Sequence, residues 1–171
     1  MFEVVEVGRL TEEQRAELAA GEEDPFDAAG NTLQWRAKDR HVALRADDGA
    51  LVASAGFVLG ELRVGDRPPT PFVGLGGVFV TAAHRGRGLG SRIIDEALDR
   101  AVEFGPDLIL LFCHPNRAGL YERRGFKAID PPVLVKQSDG YAESPLIAMW
   151  KRLHNDAALP SGAVTVESLP F

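Results

Sequence analysis

The feature that most constrains this chain is the run Arg85-Gly86-Arg87-Gly88-Leu89-Gly90. It lies between an apolar stretch that ends at Val80 and an amphipathic stretch that begins at Leu89. A glycine-rich loop between a strand and a helix presents free backbone N–H groups beside the positive end of the helix dipole, a place that favours phosphate. Arg85 and Arg87 flank the glycines and add charge-assisted donors, and Ser91 follows in the first turn. Spacing excludes two common phosphate loops. A P-loop needs Gly-Lys-Ser/Thr after four intervening residues, and no lysine stands here. A dinucleotide fingerprint counted from Gly86 and Gly88 needs glycine where Ser91 stands, and it would not follow a meander of strands.

Periodicity lays out the rest. Phe2–Val7 alternates as a strand, and Thr11 opens a helix with Gln14 at the capping-box position and Gly21 and Pro25 as its stop. A short helix is expected over 31–36. Strands at 41–45 and 51–64 flank Asp48-Gly49, a tight-turn pair, and the turn 65–69 leads to a strand at 70–80. Gly74, Gly76 and Gly77 lie inside that last strand, where glycine marks a bulge or a close backbone approach. Over 89–104, Leu89, Ile93, Ile94, Ala97, Leu98, Ala101 and Val102 share one helical face. The apolar run 108–113 has the pattern of a strand buried on both sides. A short helix over 115–124 and strands at 126–129 and 145–150 follow, with 131–144 between them as a loop. The strand 70–80, the helix and the strand 108–113 form a right-handed crossover with parallel strands, within a mixed α/β (α+β) fold.

The 171 residues suit one domain, placed at 1–153, with 154–171 a tail that lacks clear periodicity. A net charge of −6 argues against a nucleic-acid binder, which needs a basic face. No apolar stretch is long enough to cross a bilayer, and the first residues lack the basic and apolar regions of a signal peptide. Cys113 is the single cysteine and the four histidines are scattered, so neither a disulfide nor a metal is expected. A cytoplasmic location follows as an expectation. The acidic residues Glu22, Glu23, Asp24 and Asp27 read either as an attractor for a cationic amine or as a solvated helix end.

Val80-Thr81-Ala82-Ala83-His84-Arg85-Gly86-Arg87-Gly88-Leu89-Gly90 resembles the coenzyme A segment of the GNAT superfamily of N-acetyltransferases. Leu120-Tyr121-Glu122-Arg123-Arg124-Gly125-Phe126 resembles that family's second block, at a family-like distance downstream. The resemblance runs from Phe2 to about Leu153, with the specific motifs between Val73 and Phe126. It implies a mixed, mostly antiparallel sheet of about six or seven strands flanked by helices. It implies also that the strands 70–80 and 108–113 splay into a V that holds coenzyme A. On this reading the coenzyme contacts are Val78, Phe79, Val80, Arg85, Gly86, Arg87, Gly88, Leu89, Gly90 and Ser91, with Gly76 and Gly77 letting the strand bulge. Acetyl-CoA is then the acyl donor, with no metal.

The family's tyrosine corresponds to Tyr121, which the resemblance casts as the acid that protonates the departing thiolate. A general base is not assigned. Relatives often place a carboxylate on the strand 70–80, where this chain has Gly74 and Gly76, and Glu61 on the neighbouring strand is the alternative. His114 stands where many relatives have asparagine, with Asn116 two residues on, and Cys113 reads as core. The expected reaction is acetyl transfer to a primary amine on a small molecule. The layout loosely resembles the aminoglycoside 2′-N-acetyltransferase branch, without its strand carboxylate. Two other readings stand beside it: a protein N-terminal or lysine acetyltransferase, and a sensor that binds acyl-CoA without turnover. The expected partner is a small-molecule amine rather than nucleic acid or membrane, with a homodimer left open.

Overall fold

The computed structural model describes residues 1–23 and 31–171. They divide into two compact units: Met1–Asn31, Ala37–Val58 and Leu75–Arg100 in the first, and Thr32–Arg36, Leu59–Gly74 and Ala101–Phe171 in the second.

In the first unit β1 (Phe2–Val7) is followed by α1 (Glu12–Ala19), whose start carries the expected capping box. Gln14 N–H donates to Thr11 Oγ1 at 3.1 Å, and Thr11 N–H donates to Gln14 Oε1 at 2.9 Å. Two of the helix's otherwise orphaned donors are thereby satisfied. Ala20 closes the helix in the left-handed conformation, and Gly21 continues it at φ +81°. Pro25 lies outside the described residues. β2 (Arg40–Ala46) runs antiparallel to β1 from Phe2↔Ala46 to Val7↔His41, and β3 (Leu51–Val64) follows across the Asp48-Gly49 turn. Gly49 takes φ +91° there, and a bulge between Leu44 and Arg45 shifts the β2/β3 register. Leu18 of α1 packs on Ala43, Leu51 and Phe79. β4 (Thr70–Val80) leads through a 3-10 turn (Ala82–His84) into α2 (Leu89–Ala101), which buries Ile93, Ile94 and Ala97 completely.

The second unit adds β5 (Leu108–Cys113), α3 (Ala118–Glu122), β6 (Lys127–Ala128), β7 (Val133–Gln137), β8 (Gly140–Glu143), β9 (Ile147–Arg152) and β10 (Val164–Val166). The strands hydrogen-bond in the order β6-β9-β5-β4-β3-β10-β7-β8, with β2 also on β3 and β1 on β2. β4 and β5 are parallel neighbours, so the sheet is mixed and flanked by helices as expected. Among the described residues, no helix is long and apolar enough to cross a membrane.

Three stretches depart from the sequence expectations, and two of them raise the strand count among the described residues to ten. The expected loop 131–144 is the hairpin β7/β8, in register from Leu134↔Glu143 to Gln137↔Gly140. The expected helix at 31–36 is absent: Gln34 instead exchanges hydrogen bonds with Gln137, and Arg36 N–H donates to the Pro170 carbonyl at 2.7 Å. The expected tail 154–171 supplies β10, antiparallel to β3 and parallel to β7. Beyond it Phe171 is 3% exposed, its ring 5.4 Å from that of Phe72 and 5.3 Å from that of Phe112. Removing such a ring leaves a cavity that the surroundings fill only partly. Phe171→Ala is therefore expected to lower unfolding free energy by about 3–5 kcal/mol in urea titrations. An unchanged midpoint and slope would show that the ring carries none of the core's stability.

Candidate active site

In the first unit the glycine loop is held at both ends. Thr81 N–H donates to the Val52 carbonyl at 2.9 Å, and Thr81 Oγ1 pairs with His84 Nδ1 at 2.8 Å. At the far end Arg92 N–H donates to the Gly88 carbonyl at 3.1 Å, the first turn of α2. Between them Gly86 lies at φ +75° and Gly88 at φ +76°. A Cβ at either position would meet nothing within 4 Å, so glycine is required there by the dihedral angle and not by lack of room. Left-handed residues alternating with ordinary ones turn neighbouring N–H groups toward a common point, the geometry of an anion-binding nest. Leu89 and Gly90 open the first turn of α2, where a helix supplies no intrahelical acceptor for its backbone N–H groups, and Ser91 follows them.

The two arginines of the loop are not equivalent. Arg85 makes a two-point pair with Glu22, Nη1 to Oε1 at 2.7 Å and Nη2 to Oε2 at 2.8 Å. Its Nε donates to the Val80 carbonyl at 3.0 Å, and its guanidinium lies 5.3 Å from the centre of the Phe79 ring. Arg87 is exposed and has no partner among the described residues. Glu22 thus serves an internal pair, a role that its place in an acidic run did not signal. Asp24 and Asp27 of that run lie outside the described residues. Along β4 Phe79 is buried, while Val78 and Val80 are half-buried. Gly77 lies at φ +59°, in the left-handed region that glycine enters without steric cost.

In the second unit Tyr121 sits on α3, 7% exposed, with its ring edge-to-face on Phe126 at 5.8 Å. No hydrogen bond engages its hydroxyl among the described residues. Burial, and then the neighbouring Cys113, push its pKa up to about 12, with Arg117 and Arg124 pulling the other way. The phenol is therefore protonated at neutral pH. Cys113 points its thiol at Met149 Sδ, 3.7 Å away, and burial first, then Glu122, pushes it up to about 11. A thiol held protonated is core and no nucleophile. His114 ends β5, its carbonyl accepting from Arg117 N–H at 2.9 Å, and Asn116 is exposed on the turn after it. Glu61 is exposed on β3. Among the described residues no three His, Cys, Asp or Glu side chains are grouped to hold a metal.

Comparison with known proteins agrees with this geometry. The Acetyltransferase (GNAT) family matches residues 8–126, and the chain belongs to that family. It is 37% identical over 107 residues to glucosamine 6-phosphate N-acetyltransferase 1 of Oryza sativa subsp. japonica. That match takes in 61% of this chain and 63% of the relative's length. Among solved structures, the GNAT family N-acetyltransferase YhbS of Escherichia coli, in complex with CoA, superposes with a TM-score of 0.62 at 19% identity. The match covers 98% of this chain and 91% of that one. A GNAT family acetyltransferase of Brucella melitensis, in complex with acetyl-CoA, gives 0.55 at 18% identity over 95% and 94% of the two chains.

The raised Tyr121 pKa carries a pH signature. A buried group whose folded-state pKa exceeds its unfolded value of about 10 gives stability that is intact below that value and lost as pH climbs toward 12. Tyr121→Phe is expected to remove on the order of 2 kcal/mol of the stability lost between pH 10 and 12, a shift of two pKa units at 1.36 kcal/mol each less an allowance for partial solvation. Urea unfolding at stepped pH measures it, and equal alkaline slopes in both proteins would contradict the burial of the phenol.

Proposed function

We propose that this chain is an acetyl-CoA-dependent N-acetyltransferase whose acceptor is a primary amine on a small molecule, in the chemical class of amino sugars. The observation that carries the reading is the glycine loop: two left-handed glycines at the head of a 13-residue helix, with the exposed Arg87 between them. The donor is an anionic pyrophosphate ester that brings an acetyl thioester. The loop's N–H groups and Arg87 suit the pyrophosphate, and Arg85, held by Glu22, fixes the entry to the loop. The acceptor class rests on one pointer to amino sugars, a relative named for glucosamine 6-phosphate.

The chemistry asks three things of the chain. Negative charge grows on the acetyl oxygen as the amine attacks, and a preorganised N–H from Val78 or Val80 at that oxygen contributes roughly 2.7–4 kcal/mol. The sulfur leaves as a thiolate and takes its proton from Tyr121, a phenol that burial keeps protonated. The ammonium of the acceptor must first lose a proton, since a lysine-like amine with a pKa of about 10.4 is charged at neutral pH.

The assay is thiol release from acetyl-CoA across a panel holding glucosamine 6-phosphate, aminoglycosides, a lysine peptide and a free peptide N-terminus. Turnover confined to the peptides would overturn the acceptor class. Arg87→Ala is expected to weaken acetyl-CoA binding by about 1.5–3 kcal/mol, the worth of a hydrogen bond to a charged group. Calorimetry with unchanged affinity would take Arg87 out of the phosphate site. Tyr121→Phe keeps the ring, so acetyl-CoA should bind nearly as before while kcat drops roughly 10²- to 10⁴-fold. Coenzyme A leaves well unaided, which favours the lower limit. Single-turnover rates decide the matter, and a mutant within about threefold of wild type would falsify the acid role.

A further inference from the structure

Lys38 stands just before β2 and matches no motif, yet its side chain is laid across two strands of the first unit. At Gly56 of β3, a Cβ would come within 2.5 Å of Lys38 Cγ and 2.7 Å of its Cβ, distances that real atoms do not share. The lysine stem therefore occupies the space a side chain at position 56 would take. Farther along, a Cβ at Gly77 of β4 would lie 3.5 Å from Lys38 Cε and 3.8 Å from its Nζ. The amine thus ends at the left-handed Gly77 of the strand that runs on into the glycine loop, about 10 Å of extended chain before Val80.

Among the described residues no carboxylate is paired with it. Among the described residues no hydrogen bond or ion pair engages Lys38 Nζ. A basic group lies beside it: His41 on β2, whose Cδ2 would be 3.0 Å from the same Cβ at Gly56 and whose ring also feels the charge of Arg15 of α1. His41 Nδ1 lies 2.7 Å from the Gly8 carbonyl, a contact that sets the ring proton on Nδ1. Its pKa is lowered by burial first and by the charges of Lys38 and Arg15, against the raising effect of the Gly8 bond. Burial likewise draws the Lys38 amine below its ordinary value, which favours the neutral form that can accept a proton.

We propose that Lys38 is the general base of the acetyl transfer, its Nζ taking the proton that the acceptor ammonium sheds beside Gly77. The proposal rests on the N-acetyltransferase reading above and fills the place left open by the glycines at 74 and 76. Protons balance as follows. Lys38 takes one from the acceptor ammonium and later passes it to water. The nitrogen loses a second as the C–N bond forms and the C–S bond breaks. The sulfur gains one from Tyr121, which the second proton restores, so each turnover releases one proton.

The test uses the whole chain, with Lys38→Met to keep the apolar stem and Lys38→Arg to keep stem and charge without the ability to deprotonate. Both variants are expected to lose about 10²- to 10⁴-fold in kcat while the Kd for acetyl-CoA stays within a few-fold. The acidic limb of the wild-type kcat/KM profile should give way in both to a rate that climbs with pH toward the acceptor's own pKa. A second measurement needs neither variant nor acceptor: pH-dependent labelling of wild-type Lys38 by an amine-reactive reagent, read by mass spectrometry, should titrate below the ordinary lysine value of about 10.4. An ordinary lysine titration there, or a folded Lys38→Met within about threefold of wild-type kcat, overturns the base. Stoichiometric acetylation of Lys38 by acetyl-CoA alone overturns it too, by making the lysine an acceptor. A wild type that binds acetyl-CoA but turns over no amine in the panel sinks the acetyltransferase reading itself, and the base with it.

Discussion

Positive φ angles at Gly77, Gly86 and Gly88 are the constraint on which the first unit turns. An L-residue with a Cβ pays about 1–2 kcal/mol for the left-handed region, so a chain with other residues at these three positions would resist both the backbone path of β4 at Gly77 and the turn into α2. Gly77 and the loop lie on one continuous segment, a few residues apart. Their relative placement is therefore set by strand geometry and needs no long-range contact. Around this segment the rest of the unit works as a frame: the Thr81–His84 pair and the Arg85–Glu22 pair hold the loop, and α2 fixes the direction of its first-turn donors.

The elements that govern their own conformation could be read from sequence. The capping box of α1, the amphipathic face of α2, the apolar run of β5 and the glycines of the loop each state a local preference that tertiary contacts reinforce. The stretches that were misread take their structure from distant partners. β10 shows no useful alternation in three residues and exists because β3 and β7 each offer it an edge. Residues 32–36 mix polar and apolar side chains with no strong local preference, and Gln34 and Arg36 find hydrogen-bond partners more than a hundred residues away. The β7/β8 hairpin carried one legible sign, Asp139-Gly140 beside Ser138, against a stretch otherwise dominated by Pro131-Pro132 and charge.

The same division runs through the candidate site. Glycine positions and arginine positions were legible because the loop is a local motif. The separate tasks of Arg85 and Arg87 were not, since Glu22 lies 63 residues from its partner and nothing in an acidic run says which member will be taken up. Lys38 was invisible for the same reason. Its meaning comes from two glycines on two later strands, and a lone lysine in a polar stretch reads as a solvated charge.

Gly56 has a consequence for how this sequence can drift. Its hydrogen leaves room for the Lys38 stem, and no other residue fits while that stem stays. Positions 38 and 56 are then a linked pair: a lineage that gains a methyl group at 56 must have shortened or redirected residue 38 beforehand, or have lost both in one step. Among relatives of this chain, glycine at 56 should accompany a long side chain at 38, and the two should disappear together. That pattern in an alignment would mark which members of the family share this chain's arrangement of the amine and which have solved proton removal in another way.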